Sequence, residues 1–210
     1  MKRTICLAAL IFFLQNFSHT QSDIRVELNA GLSLLSKLNT VLPYWDNGWK
    51  IGIGVLYVVS QNVQLSANAG YNRFGYSGQG PTLATPRIVG FRREMTGEKS
   101  NIYEISLGTR LFISRGFVQP FISIRGGIQS TQVGEIRIME WMEQNPQNTL
   151  THYVYKSSGI NFSKPFASIG FGVDVPINSS FNLLLEGIFA RSFDGAQLYY
   201  PVFASLQYEP

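Results

Sequence analysis

Residues Asn101 to Ser130 alternate with period two through two long runs joined only by a turn at Arg115-Gly116. One set is apolar: Tyr103, Ile105, Leu107, Leu111 and Ile113, then Val118, Ile122, Ile124 and Ile128. The other holds Glu104, Ser106, Gly108, Arg110 and Phe112, then Phe117, Gln119, Phe121, Ser123, Arg125 and Gly127. Successive strand side chains point to opposite faces, so the two sets lie on opposite sides of a hairpin. The apolar side is bulky and continuous, whereas the polar side is small and Gly-rich with isolated charges. That combination suits a wall with lipid outside and a narrow, filled lumen within.

The same alternation recurs along the chain. Ile24, Val26, Leu28, Ala30, Leu32 and Leu34 oppose Arg25, Glu27, Asn29, Gly31 and Ser33. Trp49, Ile51, Ile53, Val55, Tyr57 and Val59 oppose Lys50, Gly52 and Gly54. Val63 to Tyr71, Phe162 to Val175, Phe181 to Ser192 and a last run ending at Tyr208 behave alike, giving eight predicted strands. Their connectors run long, short, long, short, long, short, brief. Sorting by length is expected when short turns face the periplasm and long loops face outside. The long loops are expected at about 76–99 and 130–161. Within the latter, the runs 135–141 and 150–155 predict a projecting hairpin.

With the bulky rows turned to lipid, Arg25, Glu27, Lys50, Glu104, Arg110, Arg125, Asp174 and Glu186 all fall in the lumen. A charge facing hydrocarbon at mid-depth costs about 2–4 kcal/mol, while opposite charges in a narrow barrel can pair. We therefore expect a structural ionic network there. Trp49, Tyr71, Tyr103, Phe189, Tyr199, Tyr200 and Tyr208 are expected at strand ends as interfacial girdles. With 45% hydrophobic and 14% charged residues the chain is not disordered, and its mild net charge of +4 gives no reason to expect nucleic acid as a partner.

Residues 1–21 read as a cleaved signal peptide: Lys2 and Arg3, an apolar run from Ile5 to Leu14, then Ser18 and Thr20 before the expected cut. Residues 22–210 would form the barrel domain. Cys6, the sole cysteine, lies in the leader, so no disulfide or thiolate metal site is expected after processing.

The leader, the strand-turn-strand units Ile105 to Ile124 and Ala167 to Leu185, and the final strand ending in Tyr208 resemble the small eight-stranded outer-membrane barrels of the OmpA and OmpX type. The resemblance implies an all-β, antiparallel up-and-down transmembrane barrel in the outer membrane of a Gram-negative-type cell. It also implies outer-membrane lipid or lipopolysaccharide and the barrel-insertion machinery as partners. Members usually end on an aromatic residue that this machinery reads; here Glu209-Pro210 follow Tyr208. Some such barrels modify lipid A or phospholipids with a His, a Ser and a carboxylate. His152 near Ser157 invites the comparison, but no spacing supplies a base with its orienting acid. We expect a non-enzymatic chain without cofactor or metal, serving envelope integrity or surface interaction and lacking a wide pore. Arg87, Arg92 and Arg93 in one loop, and Ile138, Trp141 and Tyr153 exposed on the projecting hairpin, are the candidate contacts for an extracellular protein partner. The alternatives are a lipid-modifying barrel enzyme and a secreted lipocalin-like barrel with its bulky face turned inward around an apolar ligand.

Overall fold

A computed structural model of the protein describes residues 23–36, 39, 41–42, 44–77, 91–114, 116–142, 153–157 and 159–209. Eleven strands follow in order: β1 (Ile24–Leu35), β2 (Trp45–Ser60), β3 (Val63–Tyr76), β4 (Phe91–Gly97), β5 (Ser100–Phe112), β6 (Gln119–Val133), β7 (Ile136–Met142), β8 (Tyr153–Ser157), β9 (Ile160–Pro176), β10 (Phe181–Ser192) and β11 (Leu198–Tyr208). Eight of them close into a barrel in the order β1-β11-β10-β9-β6-β5-β3-β2. Every neighbouring pair is antiparallel, and β1 seals the ring against β11 from Val26↔Tyr208 to Leu35↔Tyr199. Closure leaves no unpaired edge in the wall.

The period-two pattern decides which way each strand faces. Ile105 and Leu107 are 71% and 69% exposed on the outside, whereas Glu104, Ser106 and Arg110 between and beyond them are buried inside. Strands in so narrow a barrel approach closely. At Gly127 a Cβ would lie 2.0 Å from the Ile105 carbonyl oxygen, so only glycine fits opposite Ser106.

Three strands lie outside the ring. β4, β7 and β8 form a second sheet in the order β4-β7-β8, with Gly97↔Ile136 and Ile136↔Ser157 at the end nearer the barrel. The predicted hairpin of 135–155 is present as β7 and β8. The region expected as a loop at 76–99 instead contributes β4, because its backbone finds a partner in β7. β2 likewise starts at Trp45 rather than Trp49, with an irregularity between Trp45 and Gly48 that turns the Trp45 ring inward.

The interior has three levels. At the end carrying the long loops, Leu42, Trp45, Phe74, Ile102, Ile136 and Ile138 pack into an apolar cap reaching down to Ile188 and Phe203. The polar and charged residues fill the middle. At the short-turn end, Phe112, Phe121 and Leu184 form a smaller apolar floor.

Candidate functional site

The lumen gathers the charges that the alternation sends inward. Arg110, fully buried on β5, places Nη1 2.6 Å from Glu27 Oε2 on β1 and Nη2 3.3 Å from Glu186 Oε2 on β10. Both partners stand three places away around the ring, so this one guanidinium ties the wall together across the lumen. Its flat face lies over the Phe121 ring at 5.1 Å. Arg125 reaches the same Glu186 from β6, with Nη2 at 2.7 and 2.5 Å from the two carboxylate oxygens. The Ser123 hydroxyl donates to Glu186 Oε1 at 2.5 Å. Gly170 makes room for that contact, since a Cβ there would sit 2.5 Å from Ser123 Oγ and 2.7 Å from Glu186 Oε1.

A second cluster lies nearer the cap. Lys50 Nζ on β2 pairs with Glu104 Oε2 at 2.6 Å. Asn72 donates to Glu104 Oε1 at 2.7 Å, and the Tyr199 hydroxyl donates to the same oxygen. Ser33 donates to Asn72 at 2.6 Å, and Gln129, Gln197 and Thr131 continue the hydrogen bonding upward. Three charge-assisted contacts on one carboxylate, from Lys50, Asn72 and Tyr199, meet the needs of a buried anion. Asp174 is buried near the floor and accepts from Asn182 at 3.2 Å. Arg25 stands at the short-turn rim, paired with Glu209 at 2.9 Å, a partner the sequence reading did not assign. Between the clusters, one enclosed cavity of about 20 Å³ is lined by Asn29, Lys50, Glu104, Ser106 and Arg125, among others. That is room for about one water molecule.

Two expected positions are corrected. Tyr199 is not a girdle residue: it is fully buried and points inward, as the alternation with Phe203, Ser205 and Gln207 requires, while its neighbour Tyr200 stacks outside against Phe189 at 5.4 Å. Ile138 is not an exposed contact. At 7% exposure it packs into the cap, because the second sheet folds down onto the barrel mouth with Ile136 and Ile138 facing it. Trp45 Nε1 donates to the Glu98 carbonyl at 2.8 Å and Gly134 N to Ser100 Oγ at 2.8 Å, fastening that sheet to the rim. In register, Arg92 stands opposite Trp141, Arg93 opposite Glu140, and Glu140 opposite Tyr153, all toward the end of the sheet farther from the barrel. Arg87 and His152 lie outside the described residues.

The outer surface decides what surrounds the wall. Leu28, Ile51, Val55, Ile105, Leu107, Ile124, Ile128, Phe171, Leu185 and Val202 are all 47% exposed or more, while Glu27, Glu104, Asp174 and Glu186 are buried inside. Water cannot be the solvent of that belt; hydrocarbon can. The fold is that of Neisserial surface protein A, with a TM-score of 0.51 at 10% identity over 90% of this chain and 98% of that one. The chain has the fold of a small outer-membrane β-barrel. This barrel also overlays Ail, the attachment invasion locus protein of Yersinia pestis (TM-score 0.46, 9% identity, 88% of this chain and 95% of that one). A third is the N-terminal β-barrel domain of Pseudomonas aeruginosa OprF (TM-score 0.45, 10% identity, 88% and 96%). No family model matches the sequence, and no curated protein matches it.

Proposed function

We propose that this barrel is a non-enzymatic surface protein whose sealed cylinder anchors the β4-β7-β8 sheet outside the cell, in a structural or surface-interaction role. The long-loop end then faces outward and the short turns face the periplasm. The filling of the lumen carries this reading. Cap, ionic middle and apolar floor follow one another, and the cavity between the two ionic clusters is about 20 Å³. So close a filling favours an anchor over a channel. The lumenal ions serve to hold the ring closed. Arg92, Arg93, Trp141 and Tyr153, brought by register to the distal end of the second sheet, are the positions we assign to partner contact.

The test uses intact cells expressing the full chain and a variant with residues 136–157 replaced by a short turn. Both should enter the outer membrane and leave its lipid A profile unchanged, and neither should give steady conductance in planar bilayers. Only the full chain should retain soluble host proteins at the surface. A changed lipid profile, porin-sized currents or undiminished surface binding by the variant would refute the proposal.

A further inference from the structure

The outward wall is bulky over most of its area but is interrupted where small residues meet, once around Ala30 and Ala204 and again on its upper half. Gly126 on β6 and Ala167 on β9 face each other in register, and Ala167 faces Arg191 on β10. Two neighbouring outward positions therefore lack large side chains. The result is an open groove of about 590 Å³ on the lipid-facing side, lined by Ile124, Ala167, Ile169, Phe189, Arg191 and Phe193. Its walls are exposed and apolar, with Ile124 at 56%, Ile169 at 40%, Phe189 at 41% and Phe193 at 73%. The next row below Arg191 holds the Phe189 ring against Tyr200, so the groove begins at the interfacial girdle and descends into the hydrocarbon.

Arg191 stands at the upper end of this groove, on an outward row and exposed. Its guanidinium lies across the backbone of Gly195, where a Cβ would come within 2.9 Å of Nη2. The nearest acid along the chain, Asp194, is occupied. Lys164 pairs with its Oδ2, while Ser192 Oγ at 2.5 Å and Ala196 N at 3.1 Å donate to its Oδ1. The strand carboxylates Glu27, Glu104, Asp174 and Glu186 are all buried on the other side of the wall. A cation thus stands at the head of an apolar groove, and among the described residues no carboxylate pairs with it. A guanidinium at an interface favours a phosphate, which accepts its paired N–H groups.

We propose that the groove over Gly126 and Ala167 is a binding site for one phosphate-bearing lipid of the outer leaflet, with an acyl chain along Ile124, Ile169 and Phe189 and the phosphate on Arg191. This rests on the outward orientation of the long-loop end proposed above.

Native mass spectrometry of the detergent-purified barrel tests the site, with lipid A, diacylglycerol, which has no phosphate, and inorganic phosphate as probes. The wild type should retain one lipid A molecule and prefer it to diacylglycerol by about tenfold, the size expected of one charge-assisted hydrogen-bonded contact. Arg191→Gln should lose the preference but still hold lipid weakly, and Ala167→Phe, which fills the groove, should hold none. Both variants should keep the heat-modifiable band of a folded barrel. Equal retention by all three proteins, displacement of the lipid by inorganic phosphate alone, or a dimer in place of bound lipid would overturn the assignment. Such a failure with the barrel folded and its long loops cleaved by protease on intact cells would leave the surface-anchor reading standing.

Discussion

Removing Arg110 should be the most damaging loss of a charged side chain in the lumen, and the size of the effect follows from what each carboxylate keeps. In Arg110→Met, Glu186 still has both contacts to Arg125 and the Ser123 hydroxyl. Glu27 is left differently. Among the described residues Arg110 is the one cation paired with it, its oxygens accept no hydrogen bond there, and it is 1% exposed. Stranding a buried charge costs about 3–5 kcal/mol. With roughly 2 kcal/mol per molar urea, the unfolding midpoint should fall by about 2 M. Arg125→Met leaves no carboxylate without a cation and should cost about 1–2 kcal/mol. The decisive variant is the double change Arg110→Met with Glu27→Gln, which removes the stranded charge and should recover most of the loss, since a neutral replacement of a buried pair is often tolerated. The assay is urea unfolding in lipid vesicles, read by the folded and unfolded bands on unheated gels. A loss below about 1 kcal/mol in the single variant, or no recovery in the double, would refute the claim that Arg110 is held by Glu27 across the lumen.

Other consequences follow from the same contacts. Gly127→Val should abolish the folded band altogether, because its Cβ would meet the Ile105 carbonyl oxygen at 2.0 Å, where backbone cannot yield. Ile138→Ala should cost about 2–4 kcal/mol in the cap and hasten proteolysis of the second sheet while leaving the barrel band intact, as limited digestion will show. Asp194, beside Lys164, has its pKa lowered from 3.8 to about 2, chiefly by the hydrogen bond from Lys164, then by those from Ser192 and Ala196. Being depressed in the folded state, it contributes stability above about pH 4 that disappears as pH falls toward 2. Carboxyl ¹³C shifts should therefore titrate near 2, and Lys164→Gln should move that midpoint upward.

The wall was legible because its signal is repeated. Eight runs alternate, and each inward charge shares parity with its neighbours, so the rows holding Glu27, Lys50, Glu104, Arg110, Arg125, Asp174 and Glu186 could be read from the spacing. The second sheet was only half legible. β7 and β8 carry strand-like runs, whereas β4 lies in a stretch rich in Gly, Pro and Arg and becomes a strand through pairing with β7. Ile138 looked like exposed hairpin because nothing local states that the sheet folds back onto Leu42 and Trp45. Tyr199 differs for another reason: its aromatic ring suits a girdle, but adjacent residues cannot share a face, and Tyr200 takes the outward place. The polar partners Asn72, Gln129 and Gln197 lie where β3, β6 and β11 run beyond or meet their predicted ends, and their contacts depend on curvature that a linear pattern does not carry.

The account depends on which rows of the wall meet lipid. Nitroxide labels placed singly from Tyr103 to Leu111 in a bilayer-inserted barrel test this directly, through collision with dissolved oxygen against a polar nickel reagent. Oxygen contact should peak at residues 103, 105, 107 and 111 and fall at 104, 106 and 110. A flat profile, or maxima on the even residues, would contradict the outward placement of Ile105 and Leu107 and the lumenal placement of Arg110.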